Sequence, residues 1–226
     1  MPFRMPFAGE GEFFTPDSVL SHCYGALLPM FTTMEATTLR QLCKEFKNTV
    51  AEFPWEDAKT LIRGSVASWR ACFPRARWAN VGQWDNTWGR STPVVDADFV
   101  HFVGLRRLNM SHCKSVTDAA FVHLKGIHAL DMGSCDQDTI TDAALVHLKG
   151  IHSLSLWRCV QLNSAVFTYL KGVKRLNIGF CTQLSVTDDS LVGIEWLNML
   201  GHSVPQMSSA QDILGRAVLK VGKFFV

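Results

Sequence analysis

The chain has 226 residues, 47% of them hydrophobic, and its 22 basic and 20 acidic residues give a formal net charge of +2. A chain of this length buries a sizeable core and needs no disulfide or metal to fold. The charges are nearly balanced, and the most basic stretch spreads its arginines thinly over residues 63–77. This density is too low to follow phosphates, so we expect no nucleic-acid partner. No apolar run approaches the ~18 residues of a membrane span, so we expect no membrane partner.

The beginning of the chain predicts a disordered N-terminus over residues 1–13. The sequence MPFRMPFAGEGEFF has prolines and acidic residues where a secretion signal needs an unbroken apolar stretch. The chain has 7 cysteines, an odd number, and the periodic ones are expected inside the fold. Such thiols indicate a reducing compartment. We therefore expect a cytoplasmic or nuclear location.

Two amphipathic runs predict short helices within residues 14–56. The first begins at Pro16-Asp17, because proline is tolerated in the first turn of a helix, and continues to Leu28. The second begins near Phe31 and carries its apolar residues on one helical face. These residues are Leu39, Leu42, Cys43, Phe46, Val50 and Phe53. One role for these helices is to cap the repeat that follows them.

The second run also resembles an F-box. The segment LCKEF at residues 42–46 is similar to the V-C-x-x-W motif of that family, with phenylalanine in place of tryptophan. The sequence departs from the family in two places. Thr15-Pro16 stands where the family opens with Leu-Pro, and four extra residues separate Pro16 from Phe31. An F-box docks on the adaptor subunit of a cullin-RING ubiquitin ligase. The resemblance implies an adaptor-binding surface formed by Pro16, Leu20, Leu27, Leu39, Leu42, Cys43 and Phe46.

Residues 57–93 join the helices to the repeat. Residues 60–73 predict a linker helix, and residues 76–81 predict a lead-in strand at the edge of a sheet. Residues 82–93 are rich in Gly, Asn, Ser and Thr, which predicts a loop. Two tryptophans of this loop either fold back on the core or form an exposed contact site, and they are Trp84 and Trp88.

Residues 94–202 repeat one unit. Each copy ends an apolar phrase with a cysteine, in GLRRLNMSHC, GIHALDMGSC, GIHSLSLWRC and GVKRLNIGFC, and the cysteines lie 22, 24 and 22 residues apart. A period of this length indicates a solenoid, whose units bury their hydrophobic faces only against their neighbours. The first half of each unit alternates like a strand, and the second half has helical spacing.

Polar and glycine residues mark the boundaries within each unit. Thr141 or Asp142 is placed to cap a helix, because a side-chain oxygen there accepts from the free N–H groups of the first turn. Glycine tolerates a positive φ, so it suits the turn from each helix into the next strand. The glycines at this position are Gly126, Gly150 and Gly172.

The unit resembles the cysteine-containing class of leucine-rich repeats, L-x-x-L-x-L-x-x-C followed by I-T-D-x-x-L. The resemblance implies an α/β fold: a short leucine-rich-repeat solenoid of four to five strand-helix coils, preceded by a small all-α F-box-like segment. Strands are expected on the concave side and helices on the convex side. A shortened fifth unit at residues 188–199 and a C-terminal cap at residues 203–226 are expected to close the stack.

The periodic cysteines predict packing and not chemistry. Zinc ligands come as close pairs such as C-x2-C, whereas each unit here contributes one thiol, so we expect no metal and no cofactor. Histidines recur as well, but copying of the unit explains them, and they are His101, His123 and His147. The chain has no P-loop, no G-x-S-x-G and no H-E-x-x-H, so we expect no enzymatic activity.

The concave face is the expected substrate-binding surface. By the two-residue period of a strand, residues between the buried positions point toward it. Interface hot spots favour tryptophan and arginine. The expected substrate-binding residues are Arg107, Asn109, Trp157, Arg158, Arg175, Asn177 and Phe180. The alternative for Trp157 is that it only covers Gly133 and Gly179 on the neighbouring coils.

F-box segments followed by leucine-rich repeats occur together in one class of ligase subunits. The two resemblances predict a non-catalytic substrate receptor of a cullin-RING ubiquitin ligase, with a ligase adaptor and an unknown protein substrate as partners. Its mechanism is proximity, because holding a target beside a separate enzyme raises the effective concentration of the target lysine. The alternative is a stand-alone leucine-rich-repeat scaffold whose first helices are only a cap.

Overall fold

The computed structural model describes residues 28–41, 44–56, 61–83 and 93–201. Within these residues, six parallel strands form one sheet in chain order. They are β1 (Trp78–Asn80), β2 (Arg107–Asn109), β3 (Ala129–Asp131), β4 (Ser153–Ser155), β5 (Arg175–Asn177) and β6 (Trp196–Asn198). The middle residues of neighbouring strands are aligned, as Leu108 with Leu130 and Leu130 with Leu154. The predicted α/β class and its strand-helix solenoid are confirmed.

The convex side is built mainly from 3-10 helices. They are η2 (Asp96–Phe102), η3 (Asp118–Leu124), η4 (Asp142–Leu148) and η5 (Asp188–Leu191), with one short α-helix, α4 (Val166–Tyr169). Thr141, and not Asp142, caps η4 by accepting the N–H of Ala143 at 3.2 Å. A 3-10 helix rises about 2 Å per residue, against about 1.5 Å for an α-helix. Seven residues in this form therefore reach across the back of a coil.

Glycines end the convex helices where the sequence predicts them. Gly126, Gly150 and Gly172 have φ of +80°, +84° and +89°. A Cβ added at any of the three meets nothing within 4 Å. Glycine is therefore required there by the left-handed backbone and not by lack of space.

The helical segment consists of η1 (Leu28–Met30), α1 (Thr33–Leu39), α2 (Lys44–Glu52) and α3 (Val66–Cys72). A capping box starts α1: Thr32 Oγ1 accepts from the N–H of Glu35, and the Thr32 N–H donates to the Glu35 carboxylate at 2.7 Å. A small core holds the segment together, formed by Leu28, Ala36, Val50, Trp55, Phe73 and Ala76. Trp69 packs against this core and against the core of the solenoid, so the two parts are joined through α3.

The linker helix is shorter than the predicted residues 60–73. Ser65 caps α3, which begins at Val66, by accepting the N–H of Ser68. Upstream of the cap, Leu61 forms a parallel bridge with Asn80, and the N–H of Ile62 donates to the Asn80 carbonyl at 2.8 Å. The first part of the predicted helix is therefore an extension of the sheet. β1 lies inside the predicted lead-in strand, residues 76–81.

Several predictions concern residues outside those that the structure describes. They are the disordered terminus at residues 1–13, the loop residues Trp84 and Trp88, and the C-terminal cap at residues 203–226.

Candidate functional site

The periodic cysteines line the inside of the solenoid. Each of the four thiols is fully buried and donates to a backbone carbonyl of the preceding coil, as Cys135 Sγ to Met110 O at 3.2 Å and Cys159 Sγ to Met132 O at 3.2 Å. Burial raises the pKa of the Cys159 thiol well above its usual range, and that of Cys181 to about 11. These groups remain thiols at neutral pH, unlike nucleophilic or metal-binding cysteines, which are thiolates.

A second ladder was not anticipated from the sequence. The glutamine two residues after a ladder cysteine donates its amide Nε2 to the carbonyl of the previous cysteine: Gln137 to Cys113 at 2.9 Å, Gln161 to Cys135 at 2.7 Å, and Gln183 to Cys159 at 3.0 Å. The signal was available, because C-x-Q recurs three times. The thiol and amide ladders together tie each coil to the one before it.

A third ladder runs along the ends of the strands. The side-chain oxygen of the last strand residue accepts the N–H two residues later: Asn109 from Ser111 at 3.0 Å, Asp131 from Gly133 at 3.0 Å, and Asn177 from Gly179 at 3.1 Å. Such side chains hold the turn that leaves each strand. Two of the expected substrate-binding residues, Asn109 and Asn177, therefore have a structural role.

Exposure separates these two asparagines. Asn177 is only 5% exposed, and its amide Nδ2 donates to Ser155 Oγ at 3.3 Å. It presents almost no surface to a partner, which corrects the expectation for this residue. Asn109 is half-buried, so part of its side chain remains at the surface.

Asp131 is the acidic member of this ladder. Burial raises the pKa of its carboxyl group, although the N–H of Gly133, the side chain of Ser155 and the charge of His112 favour the ionised form. The equivalent residue is Asn109 in β2, Ser155 in β4 and Asn177 in β5. Burying a carboxylate at this position therefore costs more free energy than burying an amide such as that of Asn109 or Asn177.

An aromatic and basic cluster lies just after β4 and β5, at the end of the expected concave face. The rings of Trp157 and Phe180 meet edge to face, with centroids 5.9 Å apart and an interplanar angle of 88°. The Arg158 guanidinium lies 5.3 Å from the Trp157 ring centroid. Phe180 is 41% exposed, and Arg158 is also exposed. We call these three residues the concave cluster.

Trp157 also performs the covering role that the sequence offered as the alternative. A Cβ added at Gly179 would lie 3.0 Å from Trp157 Cδ1, and one added at Gly133 would lie 3.5 Å from Trp157 Cβ. The indole is therefore in tight contact with position 179, whereas the 3.5 Å contact at position 133 is ordinary van der Waals packing. It is half-buried, so covering these glycines leaves part of the ring accessible.

The backbone before each ladder cysteine is left-handed. His112, Ser134, Arg158 and Phe180 have φ of 61°, 56°, 58° and 60°. Residues other than glycine rarely adopt this conformation, which costs about 1 kcal/mol or more. The residue types do not predict this conformation, since none of the four is glycine. Arg158 and Phe180 of the concave cluster both lie in this turn.

Two further arginines stack on tryptophans. The Arg107 guanidinium lies 4.2 Å from the ring centroid of Trp78, and the Arg175 guanidinium lies 5.6 Å from that of Trp196. Strand pairing places these pairs toward opposite ends of the sheet, at the first position of each strand. Stacking on an aromatic ring orients an arginine without neutralising it. The structure therefore presents three Trp–Arg pairs on or beside the concave face.

The expected adaptor-binding residues are mostly not described. Pro16, Leu20, Leu27, Leu42 and Cys43 lie outside the described residues. The backbone of Phe46 lies in α2, but its side chain is also outside them. Leu39 is half-buried at the end of α1. Among the described side chains of this segment, the large apolar ones that are exposed were not singled out by the sequence, and they are Met30, 78% exposed, and Met34, 66% exposed.

Two further features are absent from the residues that the structure describes. None of the helices there has the length and apolarity to cross a membrane. No three His, Cys, Asp or Glu side chains of those residues gather in a group that fits a metal ion.

Comparison with known proteins gives little further information. No family model matches the chain, and no curated protein matches it. Among solved structures, the crystal structure of the Rad7 and Elc1 complex in yeast is similar, with a TM-score of 0.40 and 19% sequence identity. The match covers 54% of this chain and 37% of that chain. The likeness is therefore partial.

Proposed function

We propose that this protein is a non-catalytic substrate receptor of an F-box type cullin-RING ubiquitin ligase and binds its target protein on the concave face. The observation that carries the binding role is the concave cluster of Trp157, Arg158 and Phe180. Its residue types are those enriched in interface hot spots. The cluster is accessible and stands on a sheet fixed by three side-chain ladders, so it is ordered before any partner arrives.

The helical segment supports the adaptor role. Its small core is separate from that of the solenoid, and Met30 and Met34 remain exposed on its surface. Exposed methionines adapt to a partner surface because the side chain is flexible and polarizable. The F-box resemblance of residues 42–46 falls in the same segment. A helical dock followed by a binding solenoid is the order found in F-box proteins with leucine-rich repeats.

The mechanism needs no reactive side chain in this protein. A target held on the concave face is brought near a ubiquitin-transferring enzyme bound through the adaptor. Tethering converts a bimolecular encounter into one with a high effective concentration. The buried thiols of the cysteine ladder are protonated and take no part in this chemistry.

The test is co-purification of the full chain with the ligase adaptor subunit. Leu42→Asp with Phe46→Asp should abolish binding, because apolar residues of the V-C-x-x-W-like segment would form the contact. Asn48→Asp is the matched control, since Asn48 is exposed on α2 and the change also adds negative charge. Met30→Ala with Met34→Ala should weaken binding and leave the fold intact, as read by circular dichroism.

Two outcomes would defeat the ligase proposal. One is that the wild-type chain does not retain the adaptor at micromolar concentrations. The other is that the double aspartate variant binds as well as Asn48→Asp does. Neither outcome bears on the concave cluster as a protein-binding surface.

A second candidate function is a stand-alone protein-binding scaffold. The observation that favours it is the seam between the two parts. Arg70 donates from Nη1 to the Ala76 carbonyl at 2.9 Å and from Nη2 to the Val103 carbonyl at 2.8 Å, while Trp69 packs on both cores. These contacts are what a plain cap needs. The scaffold proposal expects concave-face binding without any adaptor binding, so the same co-purification separates the two.

A further inference from the structure

The edge of the sheet where the strands begin carries a row of basic side chains. The residue just before each of β1 to β5 is basic, and these residues are Arg77, Arg106, His128, His152 and Lys174. We call them the basic row. Backbone hydrogen bonds join them from coil to coil, as the N–H of His128 to Arg106 O at 2.9 Å and that of His152 to His128 O at 3.0 Å. The side chains therefore repeat at the strand spacing of about 4.8 Å.

The centre of the row is a pair of stacked histidines. The imidazole rings of His128 and His152 are 4.6 Å apart and only 10° from parallel. Burial, then His152, Arg107 and Arg106, lower the pKa of His128. Arg106 and Arg107 thus supply the positive charge beside the stacked pair.

A parallel line of lysines enlarges this positive surface. Lys125, Lys149 and Lys171 each directly precede a positive-φ glycine, where the convex helices end and the chain returns to the strand edge. All three are exposed. Among the described residues, none of these lysines, nor Arg106, forms an ion pair with a carboxylate.

The acidic residues of the opposite edge differ in this respect, because coil stacking already uses them. Asp96 accepts from the N–H and hydroxyl of Thr117 at 2.8 and 2.6 Å. Asp118 accepts from the same two groups of Thr141 at 2.7 and 2.6 Å. The acidic edge is thus explained by the fold, whereas Arg106 and the three lysines of the basic edge make no comparable contacts.

Copying of the repeat does not account for the basic row. A copied unit keeps the same residue, as the Lys-Gly-Ile-His segments at residues 125–128 and 149–152 do. The other positions of the row are arginine or lysine, so the row stays basic in residue type while the residue itself changes. This persistence points to a shared preference for basic side chains at this edge.

We propose that the basic row and its flanking lysines bind an acidic, extended segment of a partner protein. Ion pairs close both ends of the row, Arg77 with Glu56 at 3.3 Å and Lys174 with Glu195 at 3.1 Å. The interval between them is four strand spacings, about 19 Å, which an extended peptide covers with about six residues. The terminal carboxylates repel a longer polyanion such as a nucleic acid that would continue past the row. A short run of Asp and Glu residues fits between them.

The test measures binding of a fluorescein-labelled hexaglutamate peptide to the full chain by fluorescence anisotropy. Hexaglutamine is the matched neutral peptide. The glutamate peptide should bind, more weakly as salt rises, and the glutamine peptide should not. Arg106→Glu with Lys149→Glu should weaken binding by roughly tenfold or more. Lys47→Glu is the control, because it makes the same kind of charge change at an exposed position of α2.

A milder pair, Arg106→Gln with Lys149→Gln, keeps the test valid if the charge reversals disturb folding, and its expected loss is smaller. The proposal is overturned if hexaglutamate binds no better than hexaglutamine, or if Lys47→Glu weakens binding as much as the double reversal does. It is also overturned if a short oligothymidylate binds as tightly through the same residues, because the row would then be a general polyanion site. Adaptor binding does not enter this experiment, so the result is independent of the ligase proposal.

Discussion

The solenoid and the helical segment are stabilised in different ways. In the solenoid, the same thiol, amide and strand-end hydrogen bonds recur between neighbouring coils, so its stability is shared among equivalent contacts. The helical segment has a small core centred on Trp55, whose Nε1 donates to the Val50 carbonyl at 2.7 Å. The Trp55 ring also meets Phe53 and Phe73 edge to face, with centroids 4.8 and 5.7 Å away. The solenoid should therefore tolerate the loss of one contact better than the helical segment tolerates a change at Trp55.

The largest expected effect therefore comes from Trp55→Ala. Removing this buried ring should destabilise the helical segment by about 3–5 kcal/mol, while the solenoid keeps most of its protection. Hydrogen exchange read by mass spectrometry should show lost protection in residues 28–56 and retained protection in residues 105–190. Trp55→Phe is the control, with a smaller loss. Equal loss of protection in both regions would mean that they form one cooperative unit.

A cysteine from each region sharpens the comparison. Cys159→Ala removes a buried thiol and its hydrogen bond to Met132, and should cost about 2 kcal/mol by chemical denaturation. Cys72→Ala in α3 should cost less, because Cys72 is only half-buried. The same contrast should appear in the wild-type chain treated with iodoacetamide at pH 8: Cys72 is modified, and Cys159 is protected until unfolding. Rapid modification of native Cys159 would contradict the burial of its thiol.

Backbone conformation gives a smaller effect. Gly126 has φ +80°, so Gly126→Ala should cost about 1–2 kcal/mol by forcing a side chain into the left-handed region. Gly64→Ala is the matched control in the helical segment, since Gly64 also has open space around its missing Cβ but no positive φ. Equal melting temperatures for the two variants would show that φ does not limit the choice of residue at the end of η3.

The smallest expected effect is a gain. Asp131→Asn keeps the acceptor for the Gly133 N–H and removes a carboxylate whose pKa burial raises, so it should stabilise the solenoid by about 0.5–1 kcal/mol at pH 7. Because the folded-state pKa is raised, the contribution of Asp131 is greatest below its unfolded-state pKa and is lost as the pH rises through the folded-state value. The advantage of the variant should therefore shrink when urea denaturation is repeated near pH 4. A loss of stability at pH 7 would show that the carboxylate makes a favourable interaction which the amide lacks.

The periodic part of the fold was predictable because each feature depends on a local rule. The spacing of the cysteines gave the coil length, and Gly126 gave the turn, since both follow from a repeated residue at a fixed distance. The helix predicted over residues 60–73 was partly wrong for the opposite reason. Leu61 has no local signal that distinguishes helix from strand, and its bridge to Asn80 exists only once the sheet has formed.

For the candidate site, the sequence could predict which face of the sheet a strand residue belongs to, but not which residues its side chain contacts. Period-2 reasoning placed Trp157 and Arg175 on the concave side, but it could not show that Asn177 would be buried by its bonds to Ser155 and Gly179. The same reasoning could not predict the left-handed turns at Arg158 and Phe180, because neither residue type favours a positive φ. Both misses depend on the conformation of a turn and on the register of a neighbouring coil.

The left-handed turn before each cysteine has a consequence for redesign. Its four side chains, those of His112, Ser134, Arg158 and Phe180, differ completely in size and charge while the turn itself is unchanged. The side chain at this position can therefore vary without a change in the backbone turn. Of the four, Arg158 and Phe180 are exposed whereas Ser134 is only 6% exposed, so these two positions are the ones at which a library of side chains can be exchanged to select new ligands without redesigning the core.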